Sequence, residues 1–167
     1  KAGVAALLRE IAAGTDPDRP NDIRIQLWNA GVAGSIERRN MGPEDYAALE
    51  AWMLGLSNTT SGGTSFDAAF SGAGTFLAGS GTKRRIVIFV TDGEPSPLSS
   101  VDAALALIRN LPPCDIFGFN IALADTSHTA RIDNTPVDGV PVIPPGNSQA
   151  LVASLRGAFG NGPDMNP

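Results

Sequence analysis

The sequence is poor in side chains that carry chemistry. Its 167 residues include one cysteine, Cys114, and one histidine, His128. A single cysteine permits no internal disulfide and excludes the multi-cysteine zinc motifs. Charge is sparse. Asp, Glu, Lys and Arg make up 17 % of the chain, against about 25 % in typical globular proteins. Aromatic residues make up only 6 %. No apolar run approaches the ~18 residues of a membrane-spanning helix. Twelve basic residues face 17 acidic ones, a net charge of −5. The broad basic face that nucleic acid requires is therefore missing. The one dense basic run, Lys83-Arg84-Arg85, precedes an apolar strand and reads as its solvated approach. Glycine and proline are plentiful, at 19 and 13. They have no period of three, which excludes a collagen-like repeat. With 43 % hydrophobic residues, the chain can fill a core of its own. Beginning at Lys1 instead of Met, it reads as a piece of a longer polypeptide.

The hydrophobic periodicity alternates between the two regular structures. Val4, Leu7, Leu8 and Ile11 recur at helical spacing and predict a helix over 2–13, stopped by Gly14. Ile23, Ile25 and Leu27 alternate with Arg24 and Gln26, as in a strand with one face more exposed. Gly31–Gly34 reads as a turn, and Ser35–Met41 as a polar edge strand protected by Glu37, Arg38 and Arg39. Pro43 starts a helix over 43–56, with Tyr46, Leu49, Met53 and Leu56 on its apolar stripe. Phe66, Ala69, Phe70, Ala73, Phe76 and Leu77 predict a helix over 65–78, weakened by Gly72 and Gly74.

Ile86-Val87-Ile88-Phe89-Val90 is a continuous apolar run, the pattern of a parallel strand covered on both faces. Ser99 or Ser100 is placed to cap a following helix lined by Val101, Leu105, Ile108 and Leu111. Asp115–Ala122 reads as a second buried strand. Residues 123–138 read as an irregular polar loop. Val140–Ile143 is a short edge strand, limited by Pro141. Asn147 or Ser148 caps a last helix with Leu151, Val152, Leu155 and Phe159 inward. Residues 161–167 read as a loose tail after a single domain over 1–160. Such alternation predicts an α/β fold of three layers, Rossmann-like, with a mostly parallel sheet, one antiparallel edge strand and helices on both faces.

In such sheets, ligands bind beyond the carboxyl ends of the strands. Two loops fall there: Ser61-Gly62-Gly63-Thr64-Ser65-Phe66-Asp67 and Val90-Thr91-Asp92-Gly93-Glu94-Pro95. A carboxylate at the end of a buried strand is costly unless it is paired or binds a metal. A hydroxyl following two glycines can approach an ion closely. Hard cations such as Mg²⁺ take oxygen ligands and often retain waters. Thr64 and Asp92 could supply part of such a shell.

The Gly62-Gly63-Thr64 loop, the apolar strand ending in Thr91-Asp92-Gly93 and the order of elements resemble a von Willebrand factor type A domain over nearly the whole chain. In that family a metal-ion-dependent adhesion site combines three parts. They are an Asp-Xaa-Ser-Xaa-Ser motif after the first strand, a threonine before the third helix, and an aspartate ending the fourth strand. The resemblance implies that Thr64 and Asp92 are metal ligands, that the ion is Mg²⁺ (or Mn²⁺ or Ca²⁺), and that an acidic group of a protein ligand completes its shell. It also implies binding without catalysis, in a setting more often secreted or on a cell surface. Gly63, Ser65, Gly93, Glu94 and Asn29 would line the ligand-binding rim. The Asp-Xaa-Ser-Xaa-Ser motif is absent from this sequence, which begins at the first helix. The central strand is then expected either to lie outside this chain or to be supplied by an assembly partner.

Other readings compete. Thr64 with Asp67 has the spacing of a capping box. Asp92-Gly93 also fits an ordinary turn, and Glu94 a solvated loop residue. His128 reads as exposed, Cys114 as a small packed apolar group, and Trp28 as core rather than ligand contact. Asn58-Thr59-Thr60 matches the glycosylation pattern and reads as a chance triplet. Two further functions remain open. One is a metal-assisted hydrolase using Asp92. The other is a metal-independent assembly subunit whose sheet is completed by a partner's strand.

Overall fold

A computed structural model of the chain describes residues 1–56, 62–123, 125–135 and 139–160. The protein is mixed α/β. Its elements run α1 (Ala2–Gly14), β1 (Ile23–Trp28), β2 (Val32–Arg38), α2 (Pro43–Gly55), α3 (Phe66–Phe70), α4 (Ala73–Ala78), β3 (Ile86–Thr91), α5 (Ser99–Ile108), β4 (Asp115–Ile121), α6 (Ser127–Ala130), β5 (Val142–Ile143) and α7 (Ser148–Gly160). The chain divides into two compact units, one of Arg24–Glu37 and Thr59–Val142, the other of Lys1–Ile23, Arg38–Asn58 and Ile143–Pro167.

The first of these units holds the strands except for the end residues Ile23, Arg38 and Ile143, and they fall into two sheets, β1-β2 and β3-β4-β5. β1 and β2 are joined through Asn29–Gly31 alone, a connection short enough only for antiparallel pairing. β3 and β4 are parallel, with Ile86 opposite Asp115 and Thr91 opposite Asn120. α5 supplies the crossover between them, as a parallel pair requires. The core of this unit is Phe66, Phe70, Phe89, Val101, Ala104, Ile116 and Ile132, with Trp28, Leu105, Ile108, Leu111 and Cys114 packed against it. Phe89 lies at its centre. Its ring stacks on Trp28 at 5.3 Å and on Phe70 at 5.6 Å, and meets Phe66 edge-on at 4.9 Å.

Several sequence expectations are corrected here. The edge strand begins at Val32 rather than Ser35, because the chain already reverses at Ala30-Gly31, where the Asn29 N–H donates to the Gly31 carbonyl at 2.9 Å. The helix expected over 65–78 is broken in two. Gly72 adopts φ +76°, a left-handed conformation open to glycine, and the Arg24 guanidinium lies where a side chain would project. The loop expected over 123–138 contains the short helix α6. β3 is covered less fully than expected: Phe89 and Thr91 are buried and its other four residues are half-buried.

The outer side of β4 is closed by the chain itself. The Ile116 N–H donates to Asn134 Oδ1 at 2.7 Å, and the Asn134 N–H donates back to the Ile116 carbonyl at 3.1 Å. The Gly118 N–H donates to Asp133 Oδ2 at 2.8 Å, and the Asn120 N–H to the Pro141 carbonyl at 3.0 Å. Two side chains thus occupy positions a neighbouring strand would take. Asn120 is fully buried, its side-chain Oδ1 accepting from Thr129 Oγ1 at 2.6 Å. Lys83-Arg84-Arg85 is tied to this unit through Arg84, which pairs with Asp115, and Arg85, which donates to the Leu77 carbonyl.

The other unit is helical. Tyr46, Leu49 and Met53 of α2 are buried, as are Leu7 and Leu8 of α1 and Leu151, Val152 and Leu155 of α7. The side chain of Phe159 lies outside the described residues, as do residues 161–167. Asp45 reaches back to the Gly42 N–H at 3.0 Å and so caps α2. Asn147 caps α7 as expected, accepting from the Ala150 N–H at 2.9 Å. Thr15, Asn21 and the Tyr46 hydroxyl form a closed hydrogen-bonded triangle, each contact 2.8 Å. On the surface Arg156 Nε donates to Glu10 at 2.7 Å and Arg9 Nε to Glu50 at 2.9 Å. No helix among the described residues is long and apolar enough to cross a membrane.

Replacing Phe89 by Ala removes the ring on which three aromatic contacts converge. The expected loss is about 3–5 kcal/mol in urea unfolding. Hydrogen bonds from Arg156 and Arg9 hold the Glu10 and Glu50 carboxyls below their ordinary value. Their contribution is therefore present above the unfolded glutamate pKa and is lost as pH falls through the depressed folded values. A melting temperature that falls with acidification, by less in the double variant Glu10→Gln/Glu50→Gln than in the parent, checks this sign.

Candidate functional site

The two loops singled out in the sequence meet in space. The chain leaves β1 at Asn29, whose carbonyl accepts from the Ser65 N–H at 2.8 Å. The same stretch is held on its other side by the loop after β3, because the Ser96 N–H donates to the Thr64 carbonyl at 2.9 Å. Gly63 passes so close that a Cβ there would sit 2.9 Å from the Ser96 carbonyl oxygen. Thr64 turns its side chain towards Gly93. A Cβ on Gly93 would lie 2.6 Å from Thr64 Oγ1 and 3.4 Å from its methyl. Glycine is thus required at 63 and 93 by close approach. Thr64 and the Asp92-Gly93 turn are placed side by side at the carboxyl ends of β1 and β3.

The turn itself is built by its first residue. Thr91 is buried, its hydroxyl donating to the Gly93 carbonyl at 2.9 Å and accepting from the Gly93 N–H at 3.2 Å. That local closure turns Asp92 outward, where it is exposed. Glu94 is exposed beside it. Of the predicted rim residues, Asn29, Gly63, Ser65 and Gly93 all lie in this cluster of contacts. Asn29 Oδ1 accepts from the Gly31 N–H at 3.1 Å, which fixes the side chain towards its own turn.

The capping alternative for Thr64 is corrected. α3 begins at Phe66 with Ser65 as its cap residue and no side-chain capping bond. Ser65 Oγ instead donates to Asp67 Oδ1 at 2.6 Å. The Phe66 N–H is taken by Ser100 Oγ at 3.1 Å. Ser100 is therefore not a cap of α5 but a buried tie between α5 and α3. Sequence reasoning missed this role, because Ser100 sits where a cap is expected and its partner lies 34 residues away. The sequence also missed Asp133 and Asn134, which lie in a polar loop without periodic signal.

The remaining predicted residues separate from the site. Trp28 packs in the core as expected, edge-on to Phe66 at 5.8 Å. His128 is half-buried on α6 rather than exposed. Cys114 is a free, half-buried cysteine packed against the core, and burial pushes its thiol pKa up, away from reactivity. Ser61 and the triplet Asn58-Thr59-Thr60 lie outside the described residues.

Thr64 and Asp92 offer one hydroxyl and one carboxylate oxygen donor set. No group of three or more His, Cys, Asp or Glu side chains converges among the described residues. A hard cation held by one or two protein carboxylates keeps waters and open positions. Thr64 Oγ1 lies against Gly93, the neighbour of Asp92 in the same turn, and the pair does not form a closed cage.

No protein-family model matches the chain, and no curated protein matches its sequence.

The contact between Thr64 and Gly93 yields a direct expectation. Gly93→Ala places a methyl inside van der Waals contact of Thr64 Oγ1. It should cost about 1–3 kcal/mol in thermal unfolding. The double variant Gly93→Ala/Thr64→Ser, which removes the crowding methyl of Thr64 but keeps its oxygen, should recover little of that loss. Gly93→Ala/Thr64→Gly should recover more.

Proposed function

We propose that this chain is a protein-binding module of the von Willebrand factor A type, a three-layer Rossmann-like fold. It presents a divalent cation at the carboxyl edge of its strands to an acidic group of a protein ligand. The observation that carries this reading is the seating of Thr64 against Gly93, which brings one hydroxyl and the outward Asp92 carboxylate to the same rim. Mg²⁺ is the ion such oxygen donors suit, with Mn²⁺ or Ca²⁺ as substitutes. Thr64 and Asp92 would hold it, and the ion when bound would supply a positive centre for an incoming carboxylate. Asp92 orients outward because Thr91 closes the turn behind it. Asn29, Gly63, Ser65, Gly93 and Glu94 shape the surrounding rim.

The helix after Thr64 adds little field to this site. α3 has only five residues, and its Phe66 N–H is already satisfied by Ser100. The reading therefore rests on side-chain oxygens. It assigns the chain binding rather than turnover. The hydrolase alternative uses the same Asp92 and is separated from it by the same variants.

Titration calorimetry with MgCl₂ and MnCl₂ is expected to show binding weakened at least about ten-fold, roughly 1.4 kcal/mol, in Asp92→Ala and in Thr64→Ala. Cation binding unchanged in Asp92→Ala overturns the metal reading. Turnover of generic phosphate or ester substrates, lost specifically in Asp92→Ala, replaces it with the hydrolase.

A further inference from the structure

The stretch Ile116-Phe117-Gly118-Phe119-Asn120-Ile121 of β4 carries no charge and no proline. An uncharged, β-rich window of about six residues is prone to pair with copies of itself wherever its backbone edge is open. One edge of β4 is taken by β3. The Asp115 N–H donates to the Arg85 carbonyl at 3.0 Å. In a parallel ladder alternate residues turn to opposite neighbours. Asp115, Phe117 and Phe119 therefore face β3, and Ile116, Gly118 and Asn120 face the other side. The strand on that side, β5, has two residues, and the chain meets Asn120 just before it, at the Pro141 carbonyl.

Ile116 and Gly118 are met instead by one short segment. Asn134 copies a peptide unit. Its Oδ1 accepts from the Ile116 N–H, its Nδ2 donates to the Cys114 carbonyl at 3.0 Å, and its own N–H donates to the Ile116 carbonyl. Asp133 gives Oδ2 to the Gly118 N–H. Its Oδ1 is held by the Thr135 N–H at 2.7 Å and the Thr135 hydroxyl at 2.6 Å. A carboxylate accepts and does not donate, so the ladder cannot be continued past Asp133.

The segment is fastened from behind. Ile132 is buried in the core, and the Ile132 and Asp133 N–H groups both donate to the Thr129 carbonyl at 2.9 Å. Gly118 admits the segment, since a Cβ there would lie 2.7 Å from Thr129 Cγ2 and 3.4 Å from Asp133 Cβ. Behind this cover Ile116, Gly118 and Asn120 are all buried. Covering an edge with a loop and a charge is how sheets avoid pairing with other chains. β4 has no Lys, Arg or Pro of its own within 116–121 to do so. Uncovered, its edge matches a second β4. Two such strands about a twofold axis run antiparallel and offer each other identical rows of N–H and C=O groups.

We propose that residues 132–135 form a latch over β4 that keeps copies of this chain from pairing edge to edge. With the latch removed, the β4 edge takes the β4 edge of a second copy. This is independent of any cation at Thr64 and Asp92.

Sedimentation velocity and amide hydrogen exchange by NMR on the full chain test it, with the double variant Asp133→Ala/Asn134→Ala. The parent should sediment as one species whatever its concentration. The variant should shift to dimers or larger species between micromolar and millimolar concentration. When dilute, its Ile116 and Gly118 amides should exchange about ten-fold faster than in the parent or more, and when concentrated they should regain that protection. The Phe117 and Phe119 amides, which face β3, should stay protected throughout. The single variant Asn134→Ala removes one exposed side chain and retains the sheet should the double variant unfold it. It should free the Ile116 amide, leave Gly118 protected, and associate in the same direction. An Ile116 amide freed without any association overturns the proposal. So does association that leaves the freed amides fast, which puts the contact elsewhere, or a parent that associates as strongly as the variants.

Discussion

The packing of α3 on Phe89 is the contact on which the strand-bearing unit depends. Phe66 and Phe70 reach Phe89 from above, and Trp28 reaches it from β1. Each aromatic pair adds about 0.5–1.5 kcal/mol beyond the area it buries. The geometric consequence matters more than the energy. With no pairing between β1 and β3, the ring cluster and the Gln26 amide hold the two sheets under one helix. The loop preceding α3 is then forced to pass between the ends of β1 and β3. Ser65 is anchored to Asn29 and Thr64 to Ser96 for that reason.

That constraint also explains where small residues are needed. Gly63 and Gly93 occupy the two points at which one loop crosses another, 2.9 Å from a carbonyl oxygen and 2.6 Å from a hydroxyl by their would-be Cβ atoms. Thr91 completes the arrangement from within the strand, spending its hydroxyl on the turn so that Asp92 faces outward. A buried polar residue thereby determines the direction of an exposed one. On the far side of the unit the same economy recurs. Asn120 and Thr129 satisfy each other in the interior, and Asp133 and Asn134 serve as a substitute strand edge.

Much of the fold was legible in local pattern. β1, β3, β4, α1, α2 and α7 follow from apolar spacing, because each has an apolar face and a clear stop. The convergence of Thr64 with Asp92-Gly93 was legible too, since both loops follow strand ends. What local pattern misjudged has a common physical cause. The split of the helix at Gly72 depends on Arg24 arriving from β1. The diversion of Ser100 from cap to tie depends on Phe66 arriving from α3. The loss of Thr64 as a cap depends on Ser96 and Gly93 arriving from the next loop. Each is a competition between a local partner and a distant one.

The sequence by itself determined the class of the protein and the chemistry on offer. It set an α/β chain with a parallel pair, a single cysteine, few basic residues, and one hydroxyl and one carboxylate at strand ends. Those features follow from composition and from periods of 2 and 3.6, which need no knowledge of neighbours. Only the tertiary structure decided that Thr64 faces Gly93 and that Asp92 faces outward. It alone decided that the apolar strand Ile86–Thr91 is half-buried at the edge of its sheet. A continuous apolar run carries the same signal whether both its edges are paired or only one. Pairing is a property of the backbone groups, which every sequence shares, and so it is decided by which strands meet.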